Sequence, residues 1–188
     1  MRTKGQKYWD QFVLLDLFGA VSAVDIVGGN LKAQKLTFLL ELYALRKSSV
    51  VGHYRFFRYQ MGPYSPDLAN DIRELETEEL LSRSGRHLTP RGVFLHDYVA
   101  EMLSGNADLQ MVTTLTSEVA TSFGKKSGAA LMNMVYGMRV PVFDLGREMK
   151  VLHIPSFLDI LDPVHTPNLR EIQPLSAPLG PGFGPRCN

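Results

Sequence analysis

Apolar residues recur at helical spacing along most of the chain. Between residues 31 and 47, Leu36, Leu39, Leu40 and Tyr43 follow the i, i+3, i+4, i+7 pattern, which places them on one face of a helix. Comparable patterns predict helices over 7–24, 31–47, 66–79, 90–103, 107–121 and 127–138, and a last short helix from Pro155 to Leu161. The predicted fold is therefore mainly α.

Three of these helices have a predicted buried stripe. The stripes consist of Leu68, Ile72 and Leu75 in the third helix, Leu95, Val99 and Met102 in the fourth, and Leu131, Met134, Val135 and Met138 in the sixth. Because residues at this spacing share a helix face, we expect these side chains to pack against the core.

Short β elements and helix boundaries are predicted from local signals. The aromatic run over 54–59 favours a strand, and the Ser84-Gly85 turn between Leu81 and Leu88 favours a small β-hairpin. Predicted helix N-caps are Asn30, Ser65 and Thr89, the last two each followed by a proline suited to the first helical position. Pro141 is expected to end the sixth helix.

The composition changes after residue 161. Residues 162–188 contain six prolines and three glycines, a composition that forms neither a helix nor a central strand. We therefore expect a single helical domain over 1–161 and an extended or disordered tail over 162–188. The alternative is that the tail is an ordered arm that lies on a partner.

Composition and charge exclude several classes of protein. The net charge of +1 excludes a generally basic nucleic-acid binder, and the single cysteine, Cys187, excludes an intrachain disulfide and a cysteine-based metal site. Basic residues precede an apolar stretch at the N-terminus, as in a secretory signal, but Asp10 and Asp16 oppose that interpretation. No apolar run is long enough to cross a bilayer. We expect a cytoplasmic protein without membrane association.

The sequence contains no recognisable catalytic, cofactor or metal motif. No two of the five histidines are spaced i, i+4, so the zincin arrangement is absent. His96 and Asp97 are adjacent, which on a helix points them about 100° apart and predicts that they do not pair. We expect His96 to be a surface histidine, and we expect no catalytic residue, no cofactor and no metal.

The order of elements resembles the SocA-like (Panacea) group of prokaryotic proteins and the related YwgA-like family. The matching stretches are residues 31–36, the Met-Gly-Pro-Tyr-Ser-Pro turn over 61–66, and 87–92; residues 131–136 are similar to a later helix of the YwgA-like pattern. Residue 61 is Met where the family often has an aromatic. The resemblance covers roughly residues 28–140 and implies a winged-helix-like helical domain with a short strand and a small β-hairpin, plus C-terminal helices.

The resemblance also implies a class of function. Several members of the group are antitoxins that neutralise toxins by binding them, and one type is an adaptor that delivers a toxin to a protease. It supplies no catalytic residues. The first hypothesis is therefore a non-catalytic module that binds and occludes a protein partner, such as a toxin. Its candidate anchors are Tyr54, Tyr59 and Tyr64, for which core packing is the alternative.

The distribution of charge supports a second hypothesis. Residues 30–59 contain six cationic side chains and one acidic one, whereas 64–80 contain six acidic side chains and one arginine. In a winged helix the acidic segment would face the major groove, which disfavours that mode of DNA binding. A DNA-binding regulator would instead use the basic helix and hairpin, through Lys32, Lys35, Arg83, Arg86 and His87. Two solvated faces of opposite charge are the third interpretation.

Overall fold

The computed structural model describes residues 2–142, 145 and 147–161. Six α-helices span Lys4–Ser22 (α1), Asn30–Arg46 (α2), Pro66–Thr77 (α3), Pro90–Met102 (α4), Ala107–Phe123 (α5) and Gly128–Gly137 (α6). Five strands span Phe56–Tyr59 (β1), Gly62–Tyr64 (β2), Arg139–Val142 (β3), Arg147–Lys150 (β4) and Asp159–Leu161 (β5), and a 3₁₀ helix covers Val151–His153. The predicted mainly α fold is confirmed. The predicted tail over 162–188 lies outside the described residues.

Two helices form the centre of the core. α1 packs against α5, and α2 packs against both α5 and α6. From Phe12 onward most of α1 is buried, and α2 is buried on all sides over most of its length. A helix that is covered all round needs apolar side chains or internally paired polar ones on every face. Five charged residues of α1 and α2 are therefore packed inside rather than solvated: Asp10, Asp16, Lys32, Lys35 and Glu41.

The strands form two small antiparallel sheets. β1 is central in the order β2-β1-β5, and β3 pairs with β4. The helix predicted from Pro155 to Leu161 is wrong, because this segment leaves the 3₁₀ helix and pairs with β1: the N–H of Arg58 donates to the Leu158 carbonyl at 2.9 Å. Pro141 lies within β3, and α6 has already ended at Gly137.

The predicted hairpin and two of the three predicted caps are confirmed. Leu81 and Leu88 form a single antiparallel bridge across a turn at Gly85, which has a φ of +104°. The side chain of Ser65 accepts from the N–H of Leu68, and that of Thr89 accepts from the N–H of Gly92. The N-cap of α2 is Gly29 without a side-chain bond, because Asn30 is already helical.

The orientation of α4 differs from the prediction. Leu95 and Met102 of the predicted inner stripe are exposed, and Gly92 is the one buried residue of this helix. α4 meets the body of the protein through Gly92, which lies against the Leu80 carbonyl, and through His96, which reaches α1. Over the described ranges, no helix combines the length and the apolar character that a membrane crossing requires.

Candidate partner-binding surface

The three tyrosines predicted as anchors occupy two different environments. Tyr54 has no exposed surface, and its hydroxyl donates to the Asp71 carboxylate at 2.9 Å. Burial raises the pKa of Tyr54 well above its usual value, with the Asp71 charge as the next cause. Tyr54 therefore has the core position that the sequence left open as the alternative.

Tyr59 and Tyr64 belong to an aromatic cluster on one face of the β2-β1-β5 sheet. The cluster, here called the sheet cluster, consists of Phe57, Tyr59, Tyr64 and Phe157, whose ring centroids lie 5.5 to 6.2 Å apart. Phe157 is 71% exposed and has a φ of +68°, which is unusual for a bulky side chain. The N–H of Phe157 donates to the Arg58 carbonyl at 2.7 Å, which holds this backbone in place.

A second exposed apolar surface lies on α4. Phe94, Tyr98 and Met102 are spaced i, i+4, i+8, so they share one face, and they are 71%, 53% and 68% exposed. The rings of Phe94 and Tyr98 stack with their centroids 6.4 Å apart. We call these three residues the α4 stripe. Val93 and Leu95 beside it are also exposed, which makes the apolar area contiguous.

A groove adjoins the α4 stripe. It has a volume of about 560 Å³ and is formed by α1, α3, α4 and the residues that follow α3. Its floor is apolar and its edge carries Lys7, Gln11, Glu74 and Glu78. Leu95 lines the groove and neighbours the stripe, and Tyr8, which is also exposed, lines the opposite wall. The groove and the stripe therefore form one continuous surface.

The edge of this groove is acidic. Lys7 Nζ lies 2.6 Å from Glu74 Oε2, and this pair raises the pKa of Lys7 and lowers that of Glu74. Gln11 also donates to Glu74 at 3.0 Å. Because Glu74 cancels the Lys7 charge, the exposed Glu78 gives the edge a net negative charge. Glu101, next to Met102 on α4, is exposed as well.

The basic residues predicted for phosphate contact are mostly engaged within the protein. Lys32 is buried and binds Asp25 at 3.0 Å and the Ile26 carbonyl at 2.6 Å. Lys35 is buried and donates to the Pro63 carbonyl at 2.8 Å.

The hairpin residues differ from one another in exposure. Arg86 donates to the Gly28 carbonyl at 2.6 Å, and its Nε lies 3.1 Å from Glu76. Arg83 and His87 are exposed. The structure therefore leaves two of the five predicted phosphate contacts accessible, and it does not bring all five together on one surface.

A buried ionic network, which the sequence did not predict, ties the N-terminus to the core. Arg2 Nη1 donates to Asp10 at 2.7 Å and to Asp71 at 2.8 Å. Asp10 also accepts from the backbone N–H of His53 at 2.9 Å and lies 2.8 Å from its Nδ1. The aspartates in the otherwise apolar N-terminal stretch were the available signal. The network joins α1, α3 and the segment before β1.

Glu41 lies beside this network, and no basic side chain of the described residues pairs with it. The backbone N–H groups of Gly52 and Tyr54 donate to its carboxyl group. Burial raises the pKa of Glu41 to about 8, and the nearby charge of Asp10 adds to the effect. Glu41 is therefore a protonated structural acid at neutral pH.

The predictions that His96 is a surface histidine and that it does not pair with Asp97 are wrong, because His96 is half-buried and contacts two aspartates. Its Nδ1 lies 2.9 Å from Asp97 and its Nε2 lies 3.0 Å from Asp16, and its ring stacks on Phe12. The 100° separation of adjacent residues applies to the Cβ directions, whereas the longer side chains bend toward each other. The hydrogen bond to Asp16 is the main cause that raises the pKa of His96.

Asp16 connects three helices rather than forming a catalytic triad. It accepts from the Thr116 hydroxyl of α5 and also binds His96 of α4. In a triad the histidine stands between the acid and the nucleophile. Here the aspartate stands in the middle and Thr116 is buried, so the arrangement fits helix packing. Among the described residues, no group of three or more His, Cys, Asp or Glu is arranged to hold a metal ion.

No protein-family model, curated protein or solved structure matches this chain. The resemblance to the SocA-like and YwgA-like proteins therefore stays a prediction.

Proposed function

We propose that this protein is a non-catalytic protein-binding module, antitoxin-like or adaptor-like, that binds and occludes a partner through the α4 stripe and its groove. The observation that carries this proposal is the exposure of Phe94, Tyr98 and Met102 on one helix face. Contiguous apolar patches on a soluble protein commonly mark interaction surfaces. The core needs nothing from this face, because α4 contacts the body through Gly92 and His96.

The composition of the surface suits a binding hot spot. Aromatic side chains dominate interface energetics because they bury a large area at a small cost in side-chain entropy. Truncation of one such anchor at the centre of an interface costs about 2 kcal/mol or more, which is about thirtyfold in affinity. Phe94 and Tyr98 together supply two anchors whose rings already stack in the free protein.

Charge indicates the chemistry of the partner. The groove has an apolar floor and a negative edge at Glu78, with Glu101 near the stripe. An amphipathic helix with apolar residues on one face and basic residues beside them complements such a surface. A phosphate backbone or an anionic membrane does not, because each would bring like charge against these carboxylates.

The DNA-binding regulator is the second candidate function. Burial of Lys32 and Lys35 counts against it, because the backbone of a DNA duplex cannot approach side chains that are enclosed by the surrounding helices. Arg83 and His87 remain as accessible candidates on the hairpin. The same experiment distinguishes the two functions.

The test is affinity purification of the tagged protein from the cells that encode it, with washes at high salt. Three proteins are compared: the wild type, the Phe94→Glu/Tyr98→Glu double variant, and Leu152→Glu. Leu152 is the matched control because it is similarly exposed but lies on the 3₁₀ helix. Bound proteins are quantified by mass spectrometry, bound nucleic acid is stained, and the retained protein is then purified for direct titration.

We expect one protein to be retained by the wild type and by Leu152→Glu, and to be lost from the double variant. Direct titration should then show an affinity loss of at least about a hundredfold, because two apolar anchors are removed and two carboxylates would have to be desolvated in the interface. Equal binding by all three proteins would overturn the proposed surface. Nucleic acid without protein, released as salt rises, would favour the regulator.

A further inference from the structure

Arg58 is a half-buried arginine, and two of its three guanidinium nitrogens have no acceptor among the described residues. Its Nε and Nη1 atoms are buried and have no hydrogen-bond partner. The guanidinium lies over the ring of Tyr136 on α6, with 5.0 Å between Cζ and the ring centroid. Burying N–H groups of a charged side chain without acceptors is costly, so such groups ordinarily have a partner.

Lys35 is a second cation beside this site. Its side chain comes from α2, the residue is 2% exposed, and its Nζ donates to the Pro63 carbonyl at 2.8 Å. An ammonium group has three N–H donors, and this bond uses one. Burial lowers the pKa of Lys35 to about 8, and the charge of Arg58 contributes to the effect.

The β1–β2 turn brings these groups together. Gly62 has a φ of +89°, and a Cβ placed there would lie 3.7 Å from Lys35 Nζ and 3.6 Å from Tyr136 Cε1. The hydroxyl of Tyr136 donates to the Gln60 carbonyl at 2.7 Å, and its ring contacts the guanidinium of Arg58. The site therefore lies between α2, α6 and the turn, with the half-buried Arg58 and Tyr136 at its outer side.

Two other enclosed cations, Arg2 and Lys32, have acidic partners that Lys35 and Arg58 lack among the described residues. Arg2 is paired with Asp10 and Asp71, and Lys32 is paired with Asp25. Within the part of the chain that the structure describes, neither Lys35 nor Arg58 forms a salt bridge. Two neighbouring cations without an anion repel each other, and a bound anion would remove both the repulsion and the unmet donors.

We propose that Lys35 and Arg58 bind a phosphate group beside the β1–β2 turn. Lys35 has two donors left and Arg58 has two unpartnered nitrogens, so the site calls for a ligand with several acceptor oxygens. A phosphate has three or four such oxygens and a charge near −2 at neutral pH, which balances the two cations. The site is independent of the α4 stripe and shares no residue with it.

The test measures thermal unfolding and calorimetric binding with inorganic phosphate at pH 7 in a buffer without chloride. Wild type is compared with Arg58→Gln, Lys35→Met and Arg83→Gln, the last being an exposed control arginine on the hairpin. Adenosine monophosphate is titrated in parallel, since it presents the same group on a larger molecule. Sodium acetate at equal ionic strength controls for screening.

We expect saturable binding of phosphate to wild type and to Arg83→Gln, with a rise in melting temperature. Arg58→Gln and Lys35→Met should each weaken binding at least tenfold. Without phosphate, Arg58→Gln should melt no lower than wild type, because it removes an uncompensated charge, whereas Lys35→Met also loses the hydrogen bond to the Pro63 carbonyl. If adenosine monophosphate binds more tightly than inorganic phosphate, the natural ligand is a phosphate group on a larger molecule. If inorganic phosphate binds more tightly, the natural ligand is free phosphate.

Two results would overturn the proposal. One is an absence of saturable phosphate binding to the wild type. The other is equal stabilisation of wild type, Arg58→Gln and Arg83→Gln, which would show a general salt effect. If a variant unfolds at the assay temperature, Arg58→Lys retains the charge, and ³¹P line broadening detects its binding to phosphate directly.

Discussion

Gly92→Ala is expected to destabilise the protein by displacing α4. Gly92 is the third residue of this helix, and it lies against the backbone of Leu80. An added Cβ would overlap the Leu80 carbonyl oxygen and would lie 3.0 Å from its carbonyl carbon. Both atoms are backbone, so no side-chain rotation relieves the overlap. α4 has to move outward instead.

The size of the effect follows from that geometry. Non-bonded carbon atoms rest about 3.5–4.0 Å apart, so the contact with the carbonyl carbon alone requires a shift of about 0.5–1 Å. Overpacking of this kind costs about 1–3 kcal/mol. The shift also strains the bond from the Thr89 N–H to the Leu80 carbonyl, 3.1 Å long, which contributes about 1 kcal/mol. The helix-propensity gain of alanine over glycine, about 1 kcal/mol, offsets part of this cost.

Gly19→Ala is the matched control, and we expect it to raise the free energy of unfolding where Gly92→Ala lowers it. Gly19 lies inside α1, and a Cβ there would meet the methyl groups of Leu88 at 3.7 Å, an ordinary van der Waals distance. The propensity gain of about 1 kcal/mol is therefore retained. The same chemical change should stabilise the protein at residue 19 and destabilise it at residue 92.

Urea unfolding monitored by circular dichroism at fixed pH measures both variants. We expect a net loss of about 2 kcal/mol for Gly92→Ala and a gain of about 1 kcal/mol for Gly19→Ala. For a chain of this size, the loss corresponds to a melting temperature about 4–8 °C lower. A Gly92→Ala protein as stable as the wild type would refute the close approach of α4 to Leu80, and with it the orientation that exposes the α4 stripe.

Two titratable groups give further predictions. The pKa of Glu41 is about 8 in the folded protein and 4.5 in the unfolded chain, so unfolding releases a proton between these pH values. The free energy of unfolding therefore falls as the pH rises from 4.5 to 8. Glu41→Gln should remove this contribution and make the protein more stable than wild type at pH 9, as urea unfolding at pH 5, 7 and 9 would show; parallel curves would contradict the burial of this acid. The pKa of His96 is raised above 6.5 in the folded protein. The protonated ring therefore stabilises the protein fully below pH 6.5, and this contribution is lost as the pH rises through the pKa of the folded state. NMR titration of the His96 ring should give a pKa above 6.5 in wild type and a lower one in Asp16→Asn, and an unchanged value in the variant would exclude Asp16 as the cause.

Local signals in the sequence predicted the helices well. The six helices end within about three residues of their predicted limits, and Ser65 and Thr89 cap α3 and α4 as expected. These features depend on neighbours within one turn of helix, which the sequence displays directly. Asn30 is not the N-cap, because either a polar residue or a glycine can occupy the N-cap position and in this structure Gly29 occupies it.

Long-range pairing was beyond these signals. β5 is a three-residue strand that exists because Phe56 and Phe57 of β1, about a hundred residues away in sequence, pair with it. α4 has apolar residues around most of its circumference, so its periodicity did not distinguish the buried side from the exposed one. The contact between Gly92 and Leu80 determines which side of α4 is buried, and Met102 is exposed as a result.

Of the candidate binding residues, the sequence indicated Tyr59 and Tyr64, which the structure joins in the sheet cluster, but not the α4 stripe. Residue type alone did not separate Tyr54 from the other two tyrosines. Tyr54 is buried, and Asp71 of α3 satisfies its hydroxyl there by accepting its hydrogen bond.

The sequence by itself determined the helical class, the aromatic strand and the caps at Ser65 and Thr89, because each depends on residues close together in the chain. The turn predicted over 61–66 lies at residues 60–61 instead, and Gly62–Tyr64 forms β2. Only the tertiary structure decided which charges are buried. Lys35, Glu41 and Asp10 look like solvated residues in the sequence, yet the packing of α1 and α2 at the centre encloses them. Enclosure depends on what surrounds a helix on every side, and those surroundings come from distant parts of the chain.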